Sequence, residues 1–229
     1  MADQRHVQKP AAEIASLLIL KFKTPLLIAL AGMAAVIVIY FVLSERERTL
    51  NERSAKLVEE VQELYLDWLA SDPKDEELDR LLLERTDHLI DSYRGRYAAQ
   101  RAWFIKANRA FALESWEQAV EAYLQTASSN PKSYLAAISL FNAGSALEEA
   151  GRPEEAYASY LRISEEYPAS HLAPQALFAA GRIRETNRQF QDAFDLFVRV
   201  EDEYGASAWA VVARNRIIYL RVHEYLEEG

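Results

Sequence analysis

The chain contains no cysteine. That excludes disulfides, thiolate metal sites and the lipidated anchor of a bacterial lipoprotein, while leaving the compartment open. Breakers are scarce too, with seven glycines and seven prolines in 229 residues. Few breakers among abundant Ala, Leu and Glu favour an all-α fold over a β-rich one. An excess of basic charge is also missing, since the formal net charge is -9. Residues 1–43 hold four bases and two acids, so the remainder carries 22 basic and 33 acidic residues, a net of -11. Nucleic acid, whose phosphates require a basic face, is a poor partner for such a chain. Catalytic signatures are lacking: there is no G-x-S-x-G, P-loop or G-x-G-x-x-G. The histidines His6, His88, His171 and His223 form no pair at i, i+3 or i+4. Acid clusters such as "EEVQE" and "DEELD" read as solvated helix faces. No catalytic, cofactor-binding or metal-ligating residues are nominated, and the reading is of a non-enzyme.

What is present begins with "PLLIALAGMAAVIVIYFVL", residues 25–43, an uncharged run. At 1.5 Å per residue such a run approaches the ~30 Å hydrocarbon core of a bilayer. Lys21 and Lys23 flank it on one side, Arg46 and Arg48 on the other, with Tyr40 placed for an interface. The pattern predicts a transmembrane helix over 25–43 after a short tail over 1–24. The long leader, without a small-x-small site close behind the run, argues against a cleaved signal peptide. Basic residues near the run are balanced on its two sides. Arg46 and Arg48 alternate with Glu45 and Glu47, however, whereas Lys21 and Lys23 are uninterrupted by acids. This favours a cytoplasmic N-terminus and a main domain outside the cytoplasm. Ala31 and Ala35 form a small-xxx-small pair able to seat another helix.

Beyond residue 43 the pattern is helical. Leu57, Val61, Leu64 and Trp68 recur at helical spacing, and "SDPKDEELDR" supplies helix-start signals. A linker helix and a degenerate leading unit are expected over 44–95. The segments "WEQAVEAYLQ", "PEEAYASYLR" and "FQDAFDLFVR" then place Ala119, Ala156 and Ala193 at intervals of 37 residues. The same shift connects Ala107, Gly144 and Gly181, the aromatics Tyr123, Tyr160 and Phe197, and the phenylalanines Phe104, Phe141 and Phe178. Ser133, Ser170 and Ser207 keep the register as candidate helix caps, and Pro131 and Pro168 as helix stops. Small residues on facing helices permit close approach, and the aromatic is expected to fill space toward the next unit. Helix pairs with an uncovered apolar face stack into a solenoid.

These positions resemble the tetratricopeptide repeat. Gly144, Ala156, Tyr160 and Pro168 carry the likeness, and Gly181, Ala193 and Phe197 continue it, with Gly205 in place of proline. In the preceding unit Trp103, Ala119, Tyr123 and Pro131 fit, whereas Ala107 departs from the preferred glycine. The resemblance implies three repeats over 96–206 and a solvating helix over 207–229. The "YPASHLAPQALFAAG" stretch is similar to repeats of bacterial envelope proteins of the YbgF type and of outer-membrane assembly lipoproteins. The short N-terminus, single span and helical repeats resemble the YfgM-like partners of the secretion translocon.

The resemblance also implies a peptide groove lined by the first helix of each pair. Its residues are Arg101, Phe104 and Asn108, then Ile138, Phe141 and Ser145, then Gln175, Phe178 and Arg182. One phenylalanine per unit forms a stripe that suits an apolar or helical peptide, or else packs between adjacent first helices. Arg101, Asn108 and Arg182 are placed to grip carboxylates, although Phe stands where the family's carboxylate clamp has Lys. The implied function is a scaffold anchored in a bacterial inner membrane with its repeats in the periplasm, binding other proteins near a secretion translocon or within a chaperone network. A structural subunit of a larger envelope machine and a cytoplasm-facing adaptor are the alternatives, and the oligomeric state is left open.

Overall fold

The computed structural model describes residues 11–71 and 74–223. Every regular element among them is a helix: α1 (Ala11–Ala70), α2 (Glu76–Ser92), α3 (Tyr97–Ala112), α4 (Trp116–Ser129), α5 (Tyr134–Glu149), α6 (Pro153–Glu166), α7 (Ala173–Thr186), α8 (Phe190–Glu203) and α9 (Ala208–Val222). The chain divides into two compact units, Met1–Arg53 and Ser54–Gly229.

In the first unit the apolar run lies inside α1, with Pro25 within the helix. The helix therefore continues past both edges expected for the 25–43 span, and residues 1–10 of the expected tail lie outside the described residues. Among the described residues α1 is the one helix long and apolar enough to cross a membrane. Its large side chains from Leu27 to Leu43 are exposed.

The second unit is a helix-pair solenoid. The second helices α2, α4, α6 and α8 end at Ser92, Ser129, Glu166 and Glu203, each 37 residues after the last. Ala119, Ala156 and Ala193 are fully buried, as are Ala107, Gly144 and Gly181 on the facing helices. Gly144 is needed for close approach: a Cβ there would stand 2.6 Å from Tyr160 Cε1, and one at Gly181 would stand 2.6 Å from Phe197 Cε1. The aromatics thus pack back onto the first helix of their own pair, rather than only toward the next unit. Absence of a Cβ at the small position draws the ring inward.

The turns between paired helices share one construction. Glu114, Gly151 and Arg188, 37 apart, each adopt a left-handed φ of 55°, 71° and 59°. In each turn the left-handed residue's N–H donates to a carbonyl three residues back (Phe111, Glu148, Glu185), and the next residue's N–H to one five back (Ala110, Leu147, Arg184). These are Schellman closures, which satisfy carbonyls left over at the helix end.

Helix starts vary more. Ser133 and Ser207 cap α5 and α9 by accepting from the N–H groups of Leu135 and Trp209. Ser170 accepts from Leu172 N–H at 3.3 Å but does not cap α7, which begins at Ala173 with Leu172 in the cap position. Pro174 in the first turn supplies the preset φ in place of a side-chain cap. The start of α2 is set by Asp75, which accepts from Glu77 and Leu78 N–H groups, ahead of acids at 76, 77 and 79. Asp72 and Pro73, the expected start signal, lie outside the described residues.

The end of α1 serves as a leading first helix. Val58, Val61, Tyr65 and Trp68 are buried with Leu82 and Leu89 of α2 and with Ala98, Ala102 and Ile105 of α3. Leu82 and Thr86 stand one period before Ala119 and Tyr123 and are fully buried in their stead. At the other end, the exposed side of α9 mixes Val211, Ile218 and Val222 with Arg214, Asn215 and Arg221.

Candidate functional site

The first helices α3, α5, α7 and α9 present one face in 37-residue register. Arg101, Phe104, Asn108, Ile138, Phe141, Ser145, Gln175 and Phe178 are all half-buried on it, and Arg182 is exposed. Each phenylalanine leans on the second-helix aromatic of its own pair. Ring centroids lie 5.9 Å apart for Phe104–Tyr123, 5.2 Å for Phe141–Tyr160 and 5.1 Å for Phe178–Phe197. Phe178 also meets Trp209, at 5.2 Å. The stripe is therefore a supported aromatic floor: one face of each ring joins the core, and part of the ring remains accessible.

The polar groove positions are engaged within the chain. Asn108 accepts a hydrogen bond from the Tyr123 hydroxyl at 2.7 Å, and Ser145 meets the Tyr160 hydroxyl at 3.2 Å. Burial pushes both phenols above their usual range. The third repeat has Phe197 and hence no hydroxyl, and its groove residue Arg182 pairs instead with Glu148. Glu148 accepts a further bond from Tyr160 at 2.9 Å. One repeat further on, Arg216 of α9 pairs with Glu185 of α7, one period after Glu148. Arg101 donates to Gln62 at 2.6 Å and lies over the Phe104 ring at 5.7 Å. Arg101, Asn108 and Arg182, expected to grip carboxylates, thus tie neighbouring helices together. A ligand carboxylate has to displace an internal partner to reach them.

The nine residues spread over more than one depression. Phe178 and Arg182 line a cavity of about 480 Å³ with Phe190, Arg216 and Tyr219. Ile138 lines another of about 520 Å³ with Tyr134, Tyr167, Pro168 and His171, at the joint between the second and third pairs. One pair on this edge was missed in the sequence although it keeps the 37-residue register: the Tyr97 and Tyr134 hydroxyls meet at 3.0 Å. Desolvation and that hydrogen bond push Tyr97 up to about 12. Among the described residues no group of three or more His, Asp or Glu side chains is arranged to hold a metal ion.

No curated protein matches the chain. The tetratricopeptide repeat family matches residues 139–170, which run from the middle of α5 through α6 to the turn before α7, and the packing positions of that segment recur one period to either side.

Proposed function

We propose that this protein is a membrane-tethered scaffold that binds a protein segment on the face of its first helices. The observation that carries the reading is the row Phe104, Phe141 and Phe178: one half-exposed ring per repeat, each held from behind by a second aromatic. A rigid apolar row flanked by internally paired charges suits an apolar helical or extended peptide better than an anionic tail. The exposed apolar stretch of α1 supports an anchor. The flanking charges favour a repeat domain on the periplasmic side of a bacterial inner membrane, in the neighbourhood of membrane-embedded or translocating proteins. Tethering raises local concentration, so modest contacts suffice.

A photo-crosslinking residue placed at Ile138 or Gln175 in intact membranes tests the face. Discrete adducts from both positions and none from exposed Ala158 on α6 support it, and their absence overturns it. The orientation is read independently from a cysteine added at the C-terminus of this cysteine-free chain. Labelling by a membrane-impermeant thiol reagent in intact cells places the repeats outside the cytoplasm, whereas protection until lysis makes the protein a cytoplasm-facing adaptor.

A further inference from the structure

The edge on which the first helices begin carries aromatic side chains that the phenylalanine row does not use. Tyr97, Tyr134 and His171 hold one register position in successive units. Tyr97 is 47% exposed and Tyr134 64% exposed, and His171 is exposed as well. Tyr134 and His171 both line the cavity of about 520 Å³ at the joint between the second and third pairs, with Lys132, Ile138, Tyr167 and Pro168. Its wall is thus built largely of rings.

The side-chain polar groups of this wall are of one kind. Lys132, Tyr167 and His171 make no side-chain hydrogen bond among the described residues. Tyr97 and Tyr134 use one hydrogen between their oxygens, so the second phenol hydrogen is left over. Ser133 and Ser170 already accept from the N–H groups of Leu135 and Leu172. The one carboxylate on the wall, Glu166, is held by both nitrogens of Arg162, at 2.9 and 3.3 Å. Donors are left over here, and the charged acceptor is already taken.

We propose that this cavity binds a proline-rich segment of another protein in the polyproline II conformation. Such a segment has no internal hydrogen bonds, so its carbonyls are free, and proline brings no N–H that would need an acceptor. An acceptor-rich, donor-poor chain is what the wall complements. A helix, whose carbonyls are already bonded, gains nothing from these donors. A strand brings N–H groups that the wall's side chains do not match. The dimensions agree too. Packed helices stand about 8–10 Å apart, and polyproline II advances about 9.3 Å in each three-residue turn. Prolines at i and i+3 therefore meet one ring from each of two successive units, Tyr134 and then His171. The unpaired Lys132 selects an acidic residue beside the prolines. The site needs neither the phenylalanine row nor the membrane anchor.

Fluorescence polarisation of a labelled peptide of repeated Pro-Ala-Ala units carrying one Glu, titrated with the purified full chain in detergent, tests the site. Saturable binding is expected, and the same peptide with every Pro replaced by Ala is expected not to bind. Tyr134→Ala is expected to weaken binding about tenfold by removing a platform ring. Lys132→Ala is expected to weaken it about threefold, and only while the peptide carries its Glu. Ala158→Glu on α6 leaves it unchanged. Tyr134 is largely exposed, so its variant is expected to melt with the wild type. Should it not, His171→Ala and Lys132→Glu, both at exposed positions, read the same cavity. Three results overturn the proposal: no saturable binding, equal binding of the proline-free acidic peptide, which makes this an anion site, or undiminished binding to the cavity variants. If binding here persists while cross-links from Gln175 are absent, the reading of the first-helix face fails and this one stands.

Discussion

The Tyr160 ring lies over the Cα of Gly144, where a Cβ would stand 2.6 Å from Cε1, while its hydroxyl reaches Glu148 at 2.9 Å. The ring is fixed at both ends, by a missing side chain beneath it and a carboxylate beyond it. Where Ala107 takes the glycine's place, the equivalent ring pair is wider, 5.9 Å against 5.2 Å. Gly144→Ala is therefore expected to lower stability by about 1–3 kcal/mol, through overpacking that a buried ring cannot relieve. Urea denaturation measures it, and Gly181→Ala against Phe197 is expected to behave alike.

The three Schellman turns make the opposite substitution favourable. Glu114 and Arg188 hold a left-handed φ that Gly151 adopts freely. Glu114→Gly and Arg188→Gly are each expected to raise stability by about 0.5 kcal/mol, and Gly151→Ala to lower it by about 1 kcal/mol. Open space surrounds Gly151, so sterics with neighbours do not confuse the comparison. Shifts in urea midpoint in these directions check the prediction.

Alkali is expected to destabilise the repeats. Burial raises the folded-state phenols of Tyr123 and Tyr160 above the ordinary value of 10.0. Above that pH the unfolded chain binds fewer protons than the folded one, so stability present below pH 10 falls as pH rises. The decline in melting temperature across this range is expected to flatten in Tyr123→Phe and Tyr160→Phe.

The joint between the leading unit and the first full repeat depends on an ion pair. Arg109 of α3 holds Asp79 of α2 with both nitrogens of its fork, and its guanidinium lies 5.9 Å from the centroid of the buried Trp68 ring. Asp79→Asn is expected to cost about 2 kcal/mol, because it leaves a largely buried cation without its counter-charge. Arg109→Lys is not expected to restore the wild-type value, since ammonium lacks the planar fork. Thermal melts followed by tryptophan fluorescence measure both.

The sequence pattern revealed the solenoid because its determinants are local and repeated. A small residue, Ala and an aromatic at fixed spacing leave one way for two helices to close, and positions 107, 144 and 181 are buried accordingly. The turn conformation was hidden, because Glu114 and Arg188 carry no signal for a left-handed φ and only Gly151 does. The cap of α7 was misplaced for a similar reason: Ser170 keeps the register, but Pro174 sets where the helix begins. At the candidate site, the row of phenylalanines was legible and its state was not. Half-burial depends on what stands behind each ring, Tyr123, Tyr160 or Phe197. The engagement of Arg101 with Gln62 and of Arg182 with Glu148 joins residues 39 and 34 apart, outside the 37-residue register that organised the reading.

From α3 onward each helix packs chiefly against its immediate neighbours in the chain. Such an arrangement stores its cohesion in a series of adjacent joints, so folding requires few distant loop closures and proceeds quickly once any pair has formed. It also makes the repeats a chain of links under load. A pull on the last helix opens the α8–α9 joint first, with the pairs before it still intact, so extension proceeds by successive short steps.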